Sequence, residues 1–498
     1  MLWRAVRRVA RTTQRTPGID AYAKTRPLYP CLAEKLTPIQ HIRDKYIANT
    51  EPGQRFRDEE FTIAGRVTSK RQSGKKICFY DIEDGISNIQ VVAFGKDHRG
   101  EDYEEVHAAI RRGDIARVTG YPGTSKSGEL SLFAQEAQLL APCWHNIPDS
   151  LTDVNLQLSE RPLHMLVNQN FKNTLLVRSQ VLQALRSFLV SRGFVEVETP
   201  ILGSQPGGAS ARPFWTKSNA LDRDYALRVA PELYLKKLVV GGLPRVFEIG
   251  KVFRNEGIDR THNPEFTSCE LYQAYAPFEE LFDLTEHLLR HVVQAVTGGS
   301  LVLNVHGTPV DLSAPFQRLA FVDTIEKATG TRVVDAHTGN VLPLPALADL
   351  CEQHGISTDA PLTAASLLDR LAAHFIEPLC VQPTFVYGHP TCLSPLAKQS
   401  QTQAGISDRF ELYIDGKEIV NAYNELNDPD EQRSRFREQE AERAAGDDEA
   451  QVPDEDFCRA LEYGLPPTVG WGMGIDRLIM LLTDTGNIRD VIAFPMKA

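Results

Sequence analysis

The sequence predicts a multidomain α+β protein, with a small β-barrel toward the N-terminus and a larger mixed domain organised around an antiparallel hairpin. Three observations carry this. The chain has 498 residues, 42% hydrophobic and 24% charged, which is the size and balance of two or three ordinary globular domains. Between Phe61 and Ala137, five short strand-like segments are separated by Gly-containing turns and interrupted once, after the third, by a helical stretch. Between Arg245 and Tyr275, two alternating segments flank a polar, turn-prone loop.

Composition removes several classes. No run of apolar residues is long enough to span a bilayer, so no stable membrane association is expected. The eight cysteines are scattered without a CxxC pair, so neither a zinc site nor a disulfide framework is indicated and a reducing compartment is the default. A net charge of -11 argues against indiscriminate nucleic-acid binding and leaves room for a local basic face.

Taken in order, residues 1–18 (MLWRAVRRVARTTQRTPG) carry Arg4, Arg7, Arg8 and Arg11 around one side of a helical wheel and Leu2, Val6 and Val9 on the other. That pattern is expected of a mitochondrial targeting peptide, with a basic RNA-touching arm as the alternative. Residues 19–57 form a Pro-punctuated extension with a helix near Ile39 to Ala48. The barrel, residues 58–142, has strands at Phe61–Thr68, Lys76–Ile82, Ser87–Phe94, Asp114–Tyr121 and Glu129–Ala137. A helix at Tyr103–Arg112 stands where an OB-fold carries one. Residues 143–159 read as a linker.

The larger domain, 160–498, opens with a helix over Asn170–Arg192 and a strand over Phe194–Leu202. A small-residue loop, Gln205 to Ala209, precedes a helix in Arg228–Lys237 that has Pro231 in its first turn. In the hairpin, period-two alternation puts Glu248 and Arg254 on one face of the first strand, and Phe266, Glu270 and Tyr272 on one face of the second. The loop between them adds Glu256, Arg260 and His262. A fixed guanidinium, a loop imidazole and a ring suit a nucleotide, although an Arg and a Glu on neighbouring strands can equally be a structural pair. Residues 276–380 read as scaffold behind a leading amphipathic helix. Asp415-Gly416 marks a turn between two strands, Glu431–Arg443 is a solvated helix, and Gly470–Leu482 is a glycine-rich strand running into an apolar helix.

FRNEG followed by HNPEF in the hairpin resembles motif 2 of class II aminoacyl-tRNA synthetases. The helix and strand around Arg178, Gly193, Phe194 and Thr199-Pro200 resemble motif 1, and GWGMGIDRL resembles motif 3. The resemblance runs from about Phe61 to the C-terminus. It implies a catalytic domain built on an antiparallel β-sheet flanked by helices, a homodimer formed through motif 1, and an OB-fold anticodon-binding domain. It also implies ATP contacts from Arg254, Glu256, His262, Phe266 and Arg477, with Arg254 and Arg477 catalytic. Glu418 and Glu425 would hold Mg²⁺ with the ATP phosphates, which requires a bulge near Val420, or a bend ending the strand, if both touch one metal cluster. Arg66, Phe79, Gln90 and Glu129 would contact the anticodon; without the resemblance, Phe79 is equally barrel core.

APELYLK is similar to the lysyl-type members of subclass IIb, where aspartyl and asparaginyl relatives usually have Gln in place of Glu232. The resemblance then assigns the lysine contacts to Gly208, Glu232, Arg254, Glu270, Tyr272 and Asn427. A buried carboxylate facing a pocket floor favours a cationic side chain and repels an acidic one. The implied activity is ATP-dependent activation of L-lysine and its transfer to tRNA(Lys), in the mitochondrial matrix or, alternatively, the cytoplasm. The rival readings are an aspartyl or asparaginyl synthetase and a catalytically inactive, synthetase-like tRNA-binding protein.

Overall fold

The computed structural model describes residues 17–496 apart from 33, 49, 101, 360, 361, 445, 447 and 448. The Arg-rich segment before residue 17, most of the proposed targeting peptide, lies outside the described residues. The chain divides into two compact units, residues 1–168 and 169–498.

In the first unit, helices α1 (Pro17–Thr25) and α2 (Ile39–Tyr46) precede strands β1 (Phe61–Gln72), β2 (Ile77–Glu83) and β3 (Asn88–Phe94). Helix α3 (Tyr103–Ala109) then leads to β4 (Ile115–Thr124) and β5 (Leu130–Ala141). The strands close into a barrel in the order β1-β2-β3-β5-β4, with β3 and β5 parallel. Because alternate side chains face alternate sides, Cys78, Tyr80, Val91 and Ala93 fill the interior while Phe79, Val92 and Phe133 form a separate outer cluster. The N-terminal extension is part of this fold, since Tyr22, Ile39, Ile42 and Tyr46 join the barrel core. The Tyr22 hydroxyl accepts the Leu139 N–H at 3.2 Å. The expected linker is partly helical. Helix α4 (Val154–Ser159) is capped by Asp153, whose carboxylate accepts the N–H groups of Asn155 and Leu156, and α5 (Arg161–Val167) follows.

The second unit begins with α6 (Gln169–Ser191), β6 (Val195–Glu196) and a small sheet of β7 (Leu202–Gly203), β8 (Trp215–Ser218) and β9 (Arg223–Leu227). Helix α7 (Glu232–Val240), the hairpin β10 (Arg245–Phe253) and β11 (Glu265–Ala274), and α8 (Glu280–Thr297) come next. The scaffold region holds β12 (Val302–Val305), β13 (Thr308–Asp311), β14 (Gln317–Ala320), α9 (Phe321–Thr329), α10 (Leu344–Gln353) and α11 (Ala364–Phe375). The chain ends with β15 (Thr384–Tyr387), β16 (Arg409–Ile414), β17 (Lys417–Asn424), α12 (Pro429–Ala444), α13 (Glu455–Leu461), β18 (Thr468–Gly474) and α14 (Ile475–Leu482).

Eight of these strands form one sheet in the order β14-β15-β16-β17-β18-β11-β10-β6, antiparallel except at its two outermost pairs. One face is apolar: Phe247, Leu271, Trp471, Ala422 and Phe410 are buried against α6, α8 and α14 through Leu185, Leu288 and Leu478. The opposite face is left for polar residues. The strand expected over Phe194–Leu202 shrinks to two paired residues, Val195 and Glu196 against Val246 and Phe247. Pro200 has no N–H to continue a ladder at this edge.

One ion pair ties the three motif regions together. Arg178 in α6 donates to Asp476 of α14 at 2.6 Å and to the Thr267 hydroxyl of β11 at 2.8 Å, and Asp476 also accepts the Thr267 N–H at 2.7 Å. Asp476 is 1% exposed. Removing one partner of such a buried pair strands the other charge. Asp476→Ala should therefore lower the free energy of unfolding by about 3–5 kcal/mol in chemical denaturation, whereas a surface pair would change it by less than about 1 kcal/mol.

Candidate active site

The polar face of the sheet is organised in rows across the strands. Glu411 stands opposite Asn421, then come Gly472, Glu270 and Glu248 in register. The neighbouring row is Arg409, Tyr423, Gly470, Tyr272 and Val246. The centre of each row is a glycine of β18, so a trough runs along the middle of the sheet. It forms a cavity of about 420 Å³ lined by residues of the hairpin, α7, β16, β17 and β18.

Arg254, Glu256, His262, Phe266, Glu270, Tyr272, Glu232, Gly208, Glu418 and Arg477 all line this cavity. Arg254 leaves β10 with its backbone N–H bonded to the Pro264 carbonyl at 2.9 Å, and its guanidinium carbon lies 5.2 Å from the centroid of the Phe266 ring. Its buried Nε has no hydrogen-bond partner among the described residues. His262 donates through Nδ1 to Asp259 at 2.8 Å, which leaves Nε2 to accept from Arg477 at 3.1 Å. Arg477 also donates to Glu418, to its carbonyl at 3.0 Å and its carboxylate at 3.3 Å. One end of the cavity thus gathers two arginines, a histidine and an aromatic face, the set that binds a nucleotide and its phosphates.

The other end gathers carboxylates. Gly208, at φ +89°, approaches α7 so closely that a Cβ there would lie 2.9 Å from that of Glu232. Glu232 accepts from the Tyr423 hydroxyl at 2.7 Å and from Lys236 at 2.6 Å. Glu270 has one protein hydrogen bond among the described residues, from the Tyr272 hydroxyl at 3.2 Å. Burial, reinforced by the charge of Glu232, pushes the Glu270 carboxyl up to about 8.

Three expectations change. The bulge predicted near Val420 exists, with Ile419 as the extra residue, since Leu412 pairs with Val420 and Tyr413 with Glu418. Glu418 lines the cavity, while Glu425, just past the end of β17, does not. Glu425 is instead 1% exposed and paired with Lys236, and a Cβ on Gly470 would overlap its carboxylate. The carboxylate that does share a wall with Glu418 is Glu411, diagonally across the β16–β17 pair. Burial and then the charge of Glu411 raise Glu418 above the usual carboxylate range. Asn427 does not line the cavity; it accepts from Lys398 at 3.0 Å and donates to the Leu465 carbonyl at 3.1 Å. Asn421, which accepts from Arg409 at 2.9 Å, does line the cavity. Glu248 is on the polar face as expected but is spent structurally: it accepts from Arg228 at 2.5 Å and from the Thr199 hydroxyl at 2.6 Å.

On the barrel, Phe79 and Gln90 lie on the outer face, outside the packed interior. Gln90 donates to Glu129 at 2.8 Å and accepts from Ser131 at 3.0 Å. Arg66 donates to the Gly113 carbonyl at 2.6 Å. Arg71 lies 5.9 Å from the Phe79 ring, and Arg55 4.3 Å from that of Phe133. Rings interleaved with guanidinium groups make a surface on which unpaired bases can stack.

A closed OB barrel and a class II-type sheet with a nucleotide-and-carboxylate trough define an aminoacyl-tRNA synthetase architecture. Sequence comparison agrees. The family described as tRNA synthetases class II (D, K and N) matches residues 153–498, and the family of OB-fold nucleic acid binding domains matches residues 61–140. The chain belongs to the class II tRNA synthetases of the D, K and N group. It is 44% identical to lysine–tRNA ligase cla4 of Cladosporium cladosporioides, over 97% of this chain and 83% of that protein. It is 46% identical to a probable cytoplasmic lysine–tRNA ligase of Encephalitozoon cuniculi, over 87% and 86%, and 41% identical to the lysine–tRNA ligase of Bacillus subtilis, over 98% and 96%.

The raised Glu270 carboxyl has a measurable consequence. In the free protein below pH about 8, Glu270 holds a proton that a bound cation must displace. Because the native state binds this proton more tightly than the unfolded chain, Glu270 weakens the fold as pH climbs from 4.5 to about 8, and a bound cation offsets that loss. Calorimetry of lysine binding at pH 7 in buffers of different ionisation enthalpy should show release of about one proton, and affinity should rise up to roughly tenfold per pH unit below 8. Glu270→Gln should abolish the proton release.

Proposed function

We propose that the protein is a lysine–tRNA ligase, which activates L-lysine with ATP and esterifies it to tRNA(Lys). The observation that carries the proposal is Glu270, a carboxylate on the pocket floor with a phenol and, among the described residues, no cation as its hydrogen-bond partner, beside a second carboxylate, Glu232. Such a site neutralises an ammonium side chain and repels the carboxylate side chain of aspartate. In this reading Gly208 and Glu232 meet the α-ammonium group, and Glu270 with Tyr272 the ε-ammonium.

The lysine carboxylate attacks the α-phosphorus of ATP. A P–O bond to lysine forms, the bond to the β-phosphate oxygen breaks, and pyrophosphate leaves. A hydroxyl at the tRNA 3' end then attacks the lysyl carbonyl and AMP departs. Arg254, with its unpartnered Nε, stabilises charge at the α-phosphate and orients the lysine carboxylate. Phe266 stacks on the adenine, Glu256 accepts from its amino group, and His262 and Arg477 hold the terminal phosphates. Positioning and fixed charge carry the reaction, and no protein nucleophile is needed.

Magnesium is the expected companion of ATP. Glu418 fits it as an oxygen donor on the cavity wall, and Mg²⁺ commonly takes one or two carboxylates and completes its shell with phosphates and water, whereas Glu411 on the same wall is already held by Arg409, His389 and Tyr413. The ion would supply charge neutralisation at the phosphates. Among the described residues no group of three or more His, Cys, Asp or Glu could hold a metal ion by itself.

We further propose that Arg66, Phe79, Gln90 and Glu129 read the anticodon and that two copies associate through α6 and the β6 edge, where Leu176, Val190 and Val195 are exposed. The Arg-rich first 18 residues support mitochondrial import. No helix among the described residues is long and apolar enough to cross a membrane.

The decisive assay is amino-acid-dependent pyrophosphate exchange with lysine, aspartate and asparagine in parallel. Exchange with lysine alone is expected, and Glu270→Ala should lose at least about a hundredfold in kcat/KM for lysine. Phe79→Ala should keep exchange and raise KM for tRNA about tenfold. No exchange with any amino acid would favour the tRNA-binding reading. For location, residues 1–30 fused to a fluorescent protein should enter mitochondria; a diffuse cytosolic signal would remove that assignment.

A further inference from the structure

Behind the amino-acid end of the trough, one layer beneath the lining residue Glu232, lies a buried lysine. Lys236 is 0% exposed, donates to Glu232 at 2.6 Å, pairs with Glu425, and lies 5.7 Å from the ring centroids of both Tyr423 and Phe457. Its neighbours Leu235 and Val239 on α7 show that an apolar residue fills such a position readily. A fully desolvated ammonium is costly unless opposite charges compensate it. Here it has two carboxylate partners, one of which lines the cavity.

Resting on the lysine reading above, we propose that Lys236 is a specificity-determining positioning residue, a resident ammonium that sets the charge of the pocket to match a substrate bearing two ammonium groups. With substrate in place, Glu232, Glu270 and Glu425 offer three carboxylates, and although burial raises the Glu425 carboxyl, the Lys236 ammonium is the charge that opposes that rise and favours its ionised form. Lys236 cancels one. The remaining two match the α- and ε-ammonium groups of lysine, while the substrate carboxylate is left to Arg254. Lys236 also has a geometric part. One turn along α7 from Glu232, it holds that carboxylate from behind while Tyr423 donates to both of its oxygens, and it joins α7 to the residue just past the end of β17. Without Lys236, Glu232 and Glu425 would face one another uncompensated and move apart.

The charge count separates this role from packing. In Lys236→Met the pocket carries three negative charges, and in Glu425→Gln it carries one. The double variant returns to two. Purified full-length protein and its three variants are compared by pyrophosphate exchange, with KM for lysine and for ATP measured separately. Lys236→Met should raise KM for lysine about a hundredfold and leave KM for ATP within about twofold, the loss expected when one partner of a buried pair is removed. The double variant should bind lysine at least about tenfold better than either single variant, the non-additivity expected of directly coupled charges. A double variant no better than Lys236→Met, or equal losses for lysine and ATP that Glu425→Gln does not reverse, would reduce Lys236 to packing and overturn the proposal. Wild-type protein that shows no lysine-dependent exchange would instead overturn the reading on which it rests.

Discussion

The active face depends on what one strand leaves out. Gly470 and Gly472 of β18 stand at the centre of the two polar rows, and side chains there would close the trough: a Cβ at Gly470 would overlap the Glu425 carboxylate and lie 2.7 Å from the Tyr272 ring. Glycine weakens a strand, and a central strand is a poor place for it. The cost is offset on the other side of the same strand, where Val469, Trp471 and Met473 are buried in the main core and the Trp471 indole donates to Thr285 at 2.9 Å. Period-two alternation lets one short segment be core on one face and cavity floor on the other.

Around that trough, charges fall into two kinds. Arg228–Glu248 and Arg178–Asp476 are closed pairs that fix elements relative to one another. Glu270 and the Arg254 Nε are open, one pushed up by burial and the other without a partner. Closed pairs specify geometry without adding much net stability. Open ones lower the stability of the empty protein and return it when ligand arrives, the usual cost of a preorganised site.

Much of this was legible in the sequence because it is local. The hairpin faces, the five barrel strands and the turn at Asp415-Gly416, both of whose residues have positive φ, follow from short-range alternation and turn chemistry. The helix after Asp153 was missed in the stretch read as a linker, although an N-cap aspartate marks its start. Contacts between distant segments were not legible. Nothing near Glu248 announces Arg228, and nothing near Arg178 announces an aspartate 298 residues away. Glu425 shows the limit of parity arguments: residues on one face of a strand still lie several ångströms apart per step, so a shared face is not a shared site. Glu411, Asn421, Tyr423 and Lys236 became visible only when strand register and α7 placed them.

The strand order carries a last consequence, for how the protein is made. β18 is the final strand in sequence yet lies in the interior of the eight-stranded sheet, between β17 and β11. While the ribosome is still translating the last thirty or so residues, the nascent catalytic sheet is two separate halves, each offering an unpaired edge. The barrel, whose strands all precede residue 142, can close long before. A chain cut short before Thr468 would therefore contain a complete nucleic-acid-binding module joined to two sticky half-sheets, so premature termination exchanges an enzyme for an aggregation nucleus rather than for a weaker enzyme.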